Sequence, residues 1–220
     1  MTNLGNSKPV SSNQSAVHEN LEAIVTKHLC TTDRTPIPDF VHDSFQLMRK
    51  ALSQTGLPLW LDSFCGTGIS TRKLAEQNPN FCVIGIDQSE QRLKAEPPAD
   101  LTNCLLIRSD CDALWRLMAQ HKIQTQRHTL FYPNPWPKAS QFKRRVHGHA
   151  SFKALLQISP NLELRTNWDI YALEFAQALT IARRPTELTS FVPKEPITRF
   201  EAKYIASQHR LWRVCSTTSP

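Results

Sequence analysis

Three aspartates and two glycines occupy positions in this 220-residue sequence where a small-molecule site is expected. Asp62, Asp87 and Asp110 each come at or near the end of an apolar run that is typical of a buried strand. Gly66 and Gly68 follow the first run and precede a helical pattern, where glycine permits a tight turn and close approach of a ligand. Because open α/β sheets bind ligands at the carboxyl ends of their strands, we expect these residues to share one edge.

The spacing of these residues favours a nucleoside cofactor with a positively charged centre. Asp87 comes 19 residues after Gly68, a placement that suits a carboxylate accepting hydrogen bonds from ribose hydroxyls. The glycine turn contains no lysine of the kind that binds phosphates. Three acids at one edge therefore fit S-adenosylmethionine, whose sulfonium is cationic, better than a dinucleotide. Taken singly, Asp62 or Asp87 is equally compatible with a polar strand end or a helix cap.

A second stretch suited to chemistry is the segment Phe131–Lys138, with the sequence FYPNPWPK. Three prolines in five residues can neither continue a strand ladder nor start a helix, so the chain must leave the sheet as a stiff loop. This loop carries the amide of Asn134, and the basic run Lys143–Arg145 follows it. A rigid polar loop flanked by cations suits a nucleotide in RNA. On composition alone, a proline-rich turn followed by a solvated charge run is the favoured interpretation, and only the rest of the chain changes that.

The elements that must position these residues alternate between strands and helices. Strands are predicted at Leu59–Leu61, Phe81–Ile86, Leu105–Ile107, Thr129–Phe131 and Leu162–Arg165, with Glu187–Val192 and Leu211–Cys215 as a closing pair. Helices are predicted from Asp39 up to the stop at Gly56-Leu57-Pro58, and at Ile69–Gln77, Ala113–Ala119, Phe152–Ile158 and Trp168–Ala182, with a further one capped by Ser89 and ending near Ala95. We expect Asp39 to be the N-cap of the first of these helices. The alternation predicts an α/β fold with a doubly wound, mainly parallel, Rossmann-like sheet of seven strands.

Composition narrows the class of protein. Lysine and arginine outnumber aspartate and glutamate 26 to 19, for a net charge of +7, which favours a polyanionic partner. The six cysteines form no CxxC pair and no metal-ligand spacing, so we expect a reducing, cytoplasmic setting and no metal. No apolar run approaches the length of a membrane span, and the N-terminus lacks an apolar signal segment.

The N-terminal region differs in composition from the remainder. Residues 1–18 are rich in Ser, Asn and Gln, and such a segment buries too little apolar surface to offset its ordering entropy, so it predicts a disordered tail. Between residues 19 and 30, apolar residues recur at helical spacing, which indicates a short helix or an extended docking arm. We therefore predict residues 1–30 as a disordered or extended arm and residues 31–220 as the folded domain. The sequence leaves the oligomeric state open.

Three separated motifs together resemble the tRNA (guanine-N7)-methyltransferases, a class I S-adenosylmethionine-dependent family. The proline segment resembles the family's FPDPW-x-K motif, and its KRR follows at Lys143, Arg144 and Arg145. Thr166-Asn167-Trp168 with Tyr171-Ala172 resembles TDW-xx-YA, and Pro196–Glu201 resembles P-x-T-x-FE. The resemblance runs from about Leu59 to Arg213, and a chance match to all three motifs in the right order is improbable.

The resemblance implies a role for each matched residue. The cofactor-binding positions are Asp62, Gly66, Gly68, Asp87, Asp110 and Asn134. Asn134 is also the catalytic position, beside both methyl donor and guanine. The substrate-binding positions are Lys138, Asn167, Thr198, Arg199, Phe200 and Glu201, and the RNA-contacting ones are Lys143, Arg144 and Arg145. The implied activity is transfer of a methyl group from S-adenosyl-L-methionine to N7 of a guanine in tRNA or another structured RNA.

Departures from the family pattern leave two alternatives open. Phe64 stands where the family has the first glycine of its turn, Asn134 and Asn167 replace aspartates, and Lys203 stands near a usual arginine. These changes are also compatible with a divergent paralogue that binds RNA without transferring methyl groups. A methyltransferase that acts on another acceptor is the remaining alternative, and the basic run distinguishes it because a small-molecule enzyme does not need those cations.

Overall fold

Strands and helices alternate along the chain in the computed structural model, which describes residues 5–96 and 100–218. The strands are β1 (Leu59–Ser63), β2 (Cys82–Asp87), β3 (Cys104–Arg108), β4 (Arg127–Phe131), β5 (Asn161–Thr166), β6 (Glu187–Phe191) and β7 (Leu211–Thr217). The α-helices are α1 (Leu21–Cys30), α2 (Asp39–Thr55), α3 (Ile69–Gln77), α4 (Glu90–Leu93), α5 (Cys111–Gln120), α6 (Phe152–Ile158), α7 (Asp169–Ile181) and α8 (Arg199–Ala206). Two 3-10 helices lie at Ala139–Arg144 and Val146–Gly148.

The sheet has the topology that the alternation predicted. Its seven strands are hydrogen-bonded in the order β3-β2-β1-β4-β5-β7-β6. β1 pairs in parallel with both β2 and β4, and β2 pairs in parallel with β3. β6 and β7 are antiparallel, which confirms the predicted closing pair. The order reverses direction after β1, as in doubly wound folds, so the predicted mainly parallel α/β sheet is confirmed.

The chain divides into two compact units. The glycine-turn unit contains Arg34–Phe131 and Ala154–Leu162. The proline-loop unit contains the described residues up to Asp33, Tyr132–Lys153 and those from Glu163 onward. Composition predicts a boundary at residue 30 and one folded domain after it. In the structure the N-terminal residues instead group with the second half of the chain.

The core of the glycine-turn unit explains why its strands read as continuous apolar runs. β1 and β2 are buried along their whole length, as is usual for inner strands of a parallel sheet. α5 turns Leu114, Trp115 and Met118 into the core. α2 begins at Asp39, and its N-cap is Pro38, so the prediction of Asp39 as the N-cap is wrong and Asp39 lies in the first turn. A carboxylate there still favours the helix because the N-terminal end of the helix dipole is positive.

The core of the proline-loop unit forms around α7. This helix is apolar on nearly all sides and buries Tyr171, Phe175 and Leu179. α1 buries Leu21 and Val25, so the helical alternative for residues 19–30 is the one observed. None of the helices in the described residues has the length and apolar character that crossing a bilayer requires.

The segment before α1 is irregular but makes specific contacts. The N–H of Ser7 donates to Ser207 Oγ at 3.0 Å, and His209 Nε2 lies 3.1 Å from the Ser7 carbonyl. The prediction of a disordered tail is therefore corrected for residues 5–18, whereas residues 1–4 lie outside the described part. Polar side chains and backbone groups of this segment form hydrogen bonds with residues far along the chain. Amino-acid composition cannot predict such bonds.

Candidate functional site

The glycine turn between β1 and α3 is built from three residues with left-handed backbone. Phe64, Gly66 and Gly68 have φ of 62°, 61° and 75°. A Cβ on Gly68 would lie 2.5 Å from the Leu106 side chain, and the left-handed backbone is itself unfavourable with a Cβ, so glycine is favoured there. A Cβ on Gly66 would meet nothing within 4 Å, so the space above this residue is open. Phe64 adopts the glycine-like conformation despite its side chain, and its backbone is strained.

Asp62 lies beneath this turn and is fully buried. Its Oδ2 accepts hydrogen bonds from Ser70 Oγ at 2.6 Å and Thr71 Oγ1 at 2.8 Å, both in the first turn of α3. Thr129 Oγ1 on β4 donates to Oδ1 at 3.2 Å. Burial raises the pKa of this carboxyl to about 6, against the opposing effect of these hydrogen bonds. In this conformation, Asp62 therefore supports the turn from below and has no surface for a ligand.

Asp87 joins the end of β2 to the same turn. Its Oδ2 accepts the backbone N–H of Gly66 at 2.9 Å, and its Oδ1 accepts that of Ser89 at 2.8 Å. Arg92 forms an ion pair with Oδ1 at 2.9 Å. Ser89 caps α4 as predicted, although this helix ends at Leu93 and not near residue 95. Asp87 thus holds the turn in shape from the neighbouring strand.

Asp110 completes the group of acids in the glycine-turn unit. Its Oδ1 accepts the N–H of Ala113 at 2.9 Å and caps α5, and Gln88 Nε2 lies 3.4 Å from its Oδ2. In the parallel register, Asp62 is opposite Gly85 and Asp87 is opposite Arg108. The ends of β1, β2 and β3 therefore share one edge, as the sequence predicted for Asp62, Asp87 and Asp110.

A buried polar chain beside β1 escaped the sequence analysis. His128 Nε2 lies 2.8 Å from Ser63 Oγ, and its Nδ1 lies 2.6 Å from Ser159 Oγ. Trp115 Nε1 donates to the same Ser63 hydroxyl at 3.1 Å. Burial lowers the pKa of His128 to about 3, so the ring is neutral. No spacing in the sequence links these residues, because strand pairing and helix packing bring them together.

The proline loop in the other unit follows β4 as a segment without helix or strand, as predicted. Tyr132 and Trp136 have φ of 54° and 45°, so two bulky residues of this loop adopt left-handed backbone. Asn134 lies between them with an exposed side chain, and its Oδ1 accepts the N–H of Trp136 at 3.4 Å. Lys138 is exposed at the end of the loop. The loop therefore presents one amide and one ammonium to the solvent.

Glu201, predicted as a substrate-binding carboxylate, is fully buried. Its Oε1 accepts hydrogen bonds from Tyr132 Oη at 2.8 Å and Arg165 Nη1 at 3.1 Å. Its Oε2 accepts the N–H of Ile197 at 2.7 Å. Burial, together with the Glu201 carboxylate, raises the pKa of Tyr132, which therefore remains a donor. In this conformation, Glu201 ties the proline loop to α8 and to β5.

α8, which the sequence analysis missed, carries the remaining predicted substrate residues. Thr198 is its N-cap, with the hydroxyl accepting the N–H of Glu201 at 2.9 Å. Arg199 and Phe200 are exposed, and Phe200 stacks on Tyr204 with ring centroids 6.1 Å apart. A threonine cap with Glu three residues later was a usable signal for the start of this helix.

Asn167 is connected to α8 by way of His209, which contacts both the Asn167 amide and Tyr204 of that helix. Its Nδ2 lies 3.1 Å from His209 Nδ1, and the His209 ring stacks on Tyr204 with centroids 5.3 Å apart. The exposed Phe200 ring continues this stack. The three rings therefore form a stack, with the exposed Phe200 at one end and the half-buried Asn167 amide beside His209 at the other.

The basic run is divided by burial. Lys143 and Arg144 are exposed, and the Arg144 guanidinium lies 4.8 Å from the centre of the Trp136 ring. Arg145 is fully buried, and its Nη1 donates to Glu174 Oε2 at 2.5 Å. The prediction of Arg145 as an RNA contact is therefore corrected, because no part of its side chain reaches the surface.

Glu174 is the partner that sequence reasoning missed. It lies on α7 among buried apolar residues and is itself fully buried. Burial would raise its pKa, but the hydrogen bonds and charges of His147 and Arg145 outweigh that effect and lower the pKa to about 2. A glutamate within an otherwise apolar helix pattern was the available signal, since a buried carboxylate needs a buried cation.

The predicted residues therefore fall into two groups, one in each unit. The glycine-turn unit holds the cofactor group Asp62, Gly66, Gly68, Asp87 and Asp110. The proline-loop unit holds Asn134, Lys138, the basic run, Asn167 and Thr198–Glu201. Within residues 5–96 and 100–218, no cluster of three or more His, Cys, Asp or Glu side chains is arranged to hold a metal ion.

Comparison with known proteins gives consistent matches. A model of the family described as "Putative methyltransferase" matches residues 57–214. The tRNA (guanine-N(7)-)-methyltransferase of Pseudomonas fluorescens (strain SBW25) is 32% identical over 170 residues, covering 70% of this chain and 69% of that protein. The crystal structure of the 16S rRNA methyltransferase KamB superposes with a TM-score of 0.60 at 16% identity, covering 84% of this chain and 96% of its own.

A second solved structure has a similar fold. It is a variant of the 16S rRNA (adenine(1408)-N(1))-methyltransferase with cosubstrate SAM from Catenulisporales acidiphilia. Its TM-score is 0.52 at 16% identity, and the match covers 80% of this chain and 92% of that chain. At such identities, both structural matches show the fold alone.

Proposed function

Since this chain belongs to the tRNA (guanine-N7)-methyltransferase family, we propose that it transfers a methyl group from S-adenosyl-L-methionine to N7 of a guanine in tRNA. The family match over residues 57–214 spans the glycine turn and all three motifs, and this observation carries the proposal. The positive net charge and the six free thiols support an RNA-binding protein of the cytoplasm.

We assign the methyl donor to the glycine-turn unit. The open space above Gly66 lets a cofactor approach the backbone, and Asp87 and Asp110 are the acids for the ribose and the adenine. Asp87 is 2% exposed, accepts the N–H groups of Gly66 and Ser89 and pairs with Arg92, which leaves about one of a carboxylate's four acceptor positions. Binding of both ribose hydroxyls therefore requires the exposed Arg92 side chain to move away. Asp62 acts indirectly, because it is buried and orients the first turn of α3.

We assign the guanine to the proline-loop unit. Guanine N7 attacks with its own lone pair, so no general base is needed. The chain must instead orient the base and stabilise the positive charge that develops on the purine. The Asn134 carbonyl oxygen accepts a hydrogen bond from the guanine edge, and Lys138 and Asn167 hold the nucleotide. Exposed Phe200 offers a stacking face. Glu201 positions the loop through Tyr132.

RNA phosphates are assigned to Lys143 and Arg144. Both side chains are exposed and precede the buried Arg145. Contacts to phosphates position an RNA without reading its sequence. In this proposal, the proline loop and α8 therefore select the nucleotide that is modified. Lys143 and Arg144 contribute to the overall affinity for RNA.

The test is a methyl-transfer assay with the full chain, S-adenosylmethionine and an unmodified tRNA transcript. We expect N7-methylguanosine after nuclease digestion and mass spectrometry. A transcript containing 7-deazaguanosine is the matched control, because it lacks only the accepting nitrogen. If methyl groups reach the deaza transcript equally, or no N7-methylguanosine forms at high enzyme concentration, the proposed reaction is wrong.

The second candidate is an RNA-binding paralogue without methyl transfer. Phe64 favours it, because a bulky residue stands in the turn where the family has glycine. Calorimetry distinguishes the two candidates. Binding of the methyl donor supports the enzyme, whereas retained tRNA binding without donor binding supports the paralogue.

A further inference from the structure

A single buried carboxylate connects the N-terminal segment to the basic run. Glu174 Oε2 accepts hydrogen bonds from Arg145 Nη1 at 2.5 Å and from His147 Nε2 at 2.9 Å. Its Oε1 accepts Gln14 Nε2 at 2.5 Å and the backbone N–H of His18 at 2.9 Å. One oxygen thus serves the basic run and the other serves the N-terminal segment.

The same N-terminal segment also contacts the proline loop directly. Ser12 Oγ donates to the carbonyl of Pro137 at 2.5 Å, and the N–H of Ala139 donates to Asn13 Oδ1 at 3.0 Å. Gln14 Oε1 accepts Arg145 Nη2 at 3.1 Å. We refer to residues Ser12–His18 as the strap. Its polar groups therefore bind both ends of the stretch from Pro137 to Arg145.

Arg145, which the strap contacts, is in turn hydrogen-bonded to the proline loop. Its Nε and Nη2 donate to the Trp136 carbonyl at 3.2 and 3.0 Å. Its guanidinium also lies 4.8 Å from the centre of the Trp168 ring. Trp136 has left-handed backbone, which persists only where the surroundings determine it. Because Asn134 lies two residues before Trp136, its position depends on these bonds.

We propose that the strap is a positioning element for methyl transfer, in which Asn13 and Gln14 hold the proline loop and thereby orient Asn134. This inference rests on the proposed function for its catalytic part. Its structural part, the ordering of the loop by the strap, is independent of the reaction. The hydrogen bonds of the strap named above go to residues of the proline-loop unit, so we expect donor affinity to change less than kcat.

The experiment uses full-length chains with single changes in the strap. Asn13→Ala removes the acceptor for the Ala139 N–H, whereas Asn13→Asp retains an acceptor oxygen at the same place. Gln14→Ala removes the bonds to both Glu174 and Arg145. Ser11→Ala, an exposed residue just outside the strap, is the matched control. Hydrogen exchange of the Ala139 amide reports the ordering of the loop, and kcat reports transfer.

We expect Asn13→Ala to speed exchange at Ala139 about fivefold, as the loss of one hydrogen bond predicts. We expect kcat to fall about as much, with the donor Kd changed less than kcat and the melting temperature lowered by no more than about 4 °C. Asn13→Asp should restore both exchange and kcat. Gln14→Ala should loosen the loop further, since it removes two contacts.

Three results would overturn this inference. Exchange at Ala139 equal to that of Ser11→Ala would show that the strap does not order the loop. A loosened loop with unchanged kcat would show that the strap is only a structural anchor. Equal losses in donor affinity and kcat would show general damage to the fold. A wild type that binds RNA but transfers no methyl group would refute the proposed function, and the exchange comparison would then decide the structural part alone.

Discussion

The Phe64 ring packs edge-on against Trp115, with 5.6 Å between ring centroids and 87° between ring planes. This contact lies at the residue of the glycine turn where a side chain replaces the family's glycine. The backbone there has a φ of 62°, which is unfavourable for any residue with a Cβ. The aromatic contact therefore offsets part of the strain that the substitution brings.

The first prediction separates strain from packing at this residue. Phe64→Ala removes the ring but retains a Cβ in the left-handed region, whereas Phe64→Gly removes both. We expect Phe64→Gly to be more stable than Phe64→Ala by about 1 kcal/mol, measured as the free energy of unfolding in urea. We also expect Phe64→Gly to bind S-adenosylmethionine more tightly than the wild type, because the turn then matches the family pattern.

Lys122 supplies the control for this comparison. It has a φ of 57° and an exposed side chain with no ring to lose. Lys122→Gly should exceed Lys122→Ala in stability by a similar amount, about 1 kcal/mol. An alanine variant as stable as the glycine variant at residue 64, but not at residue 122, would show that the turn relaxes around Phe64.

The second prediction concerns the charge at the proposed reaction centre. Asn134→Asp should raise the rate of methyl transfer roughly tenfold. A hydrogen bond to a charged acceptor is worth about 1 kcal/mol more than a neutral one, and a carboxylate also stabilises the positive purine. Single-turnover kinetics with tRNA measure this. Asn80→Asp, an exposed change of equal charge, should leave the rate unaltered. An unchanged rate in Asn134→Asp would indicate that the amide is adapted to its task.

The third prediction is that the exposed and buried members of the basic run Lys143–Arg145 respond differently to substitution. Lys143→Gln and Arg144→Gln remove exposed cations, so each should lower the slope of log affinity against log salt by about 1 for tRNA. Lys50→Gln, an exposed lysine on α2, should leave that slope unaltered.

Arg145→Gln should behave differently from its two neighbours. It leaves the buried Glu174 carboxylate without its guanidinium partner, so we expect a loss of about 3–5 kcal/mol in unfolding free energy. A change in salt slope with full stability would show that Arg145 reaches RNA after all.

The fourth prediction follows from the raised pKa of Asp62, about 6 in the folded chain against about 3.9 when unfolded. Between these values the folded state binds a proton that the unfolded state does not. The contribution of Asp62 to the free energy of unfolding is therefore greatest below pH 4 and is lost as the pH rises through 6. We expect wild type to lose on the order of 2 kcal/mol relative to Asp62→Asn over that range.

Urea unfolding of both proteins at several pH values measures this difference. Asp43→Asn, which changes an exposed aspartate on α2, controls for the change in net charge. Parallel pH profiles for wild type and Asp62→Asn would mean that the buried carboxyl titrates normally.

The alternation of apolar runs and helical patterns was enough to predict the sheet and the residues at its edge. Parallel strands buried on both faces need a continuous apolar sequence, so β1 and β2 could be predicted from their apolar runs. Asp62 and Asp87 were then predicted to lie at the carboxyl ends of these strands. The prolines likewise required an irregular loop around Asn134. α8 was missed because its buried residue is Glu201, so no buried apolar stripe marks this helix.

The sequence by itself determined which polar residues follow the buried strands, that the proline loop is stiff, and which family motifs are present. All three depend only on residues that are neighbours in the chain. Only the tertiary structure decided which member of the basic run is buried and which acid receives it. Lys143, Arg144 and Arg145 are equivalent as a local pattern. Arg145 differs because it meets Glu174, 29 residues away, and Glu174 in turn meets Gln14, 160 residues away. Such pairings depend on packing between distant segments, where a buried charge is stable only with its partner.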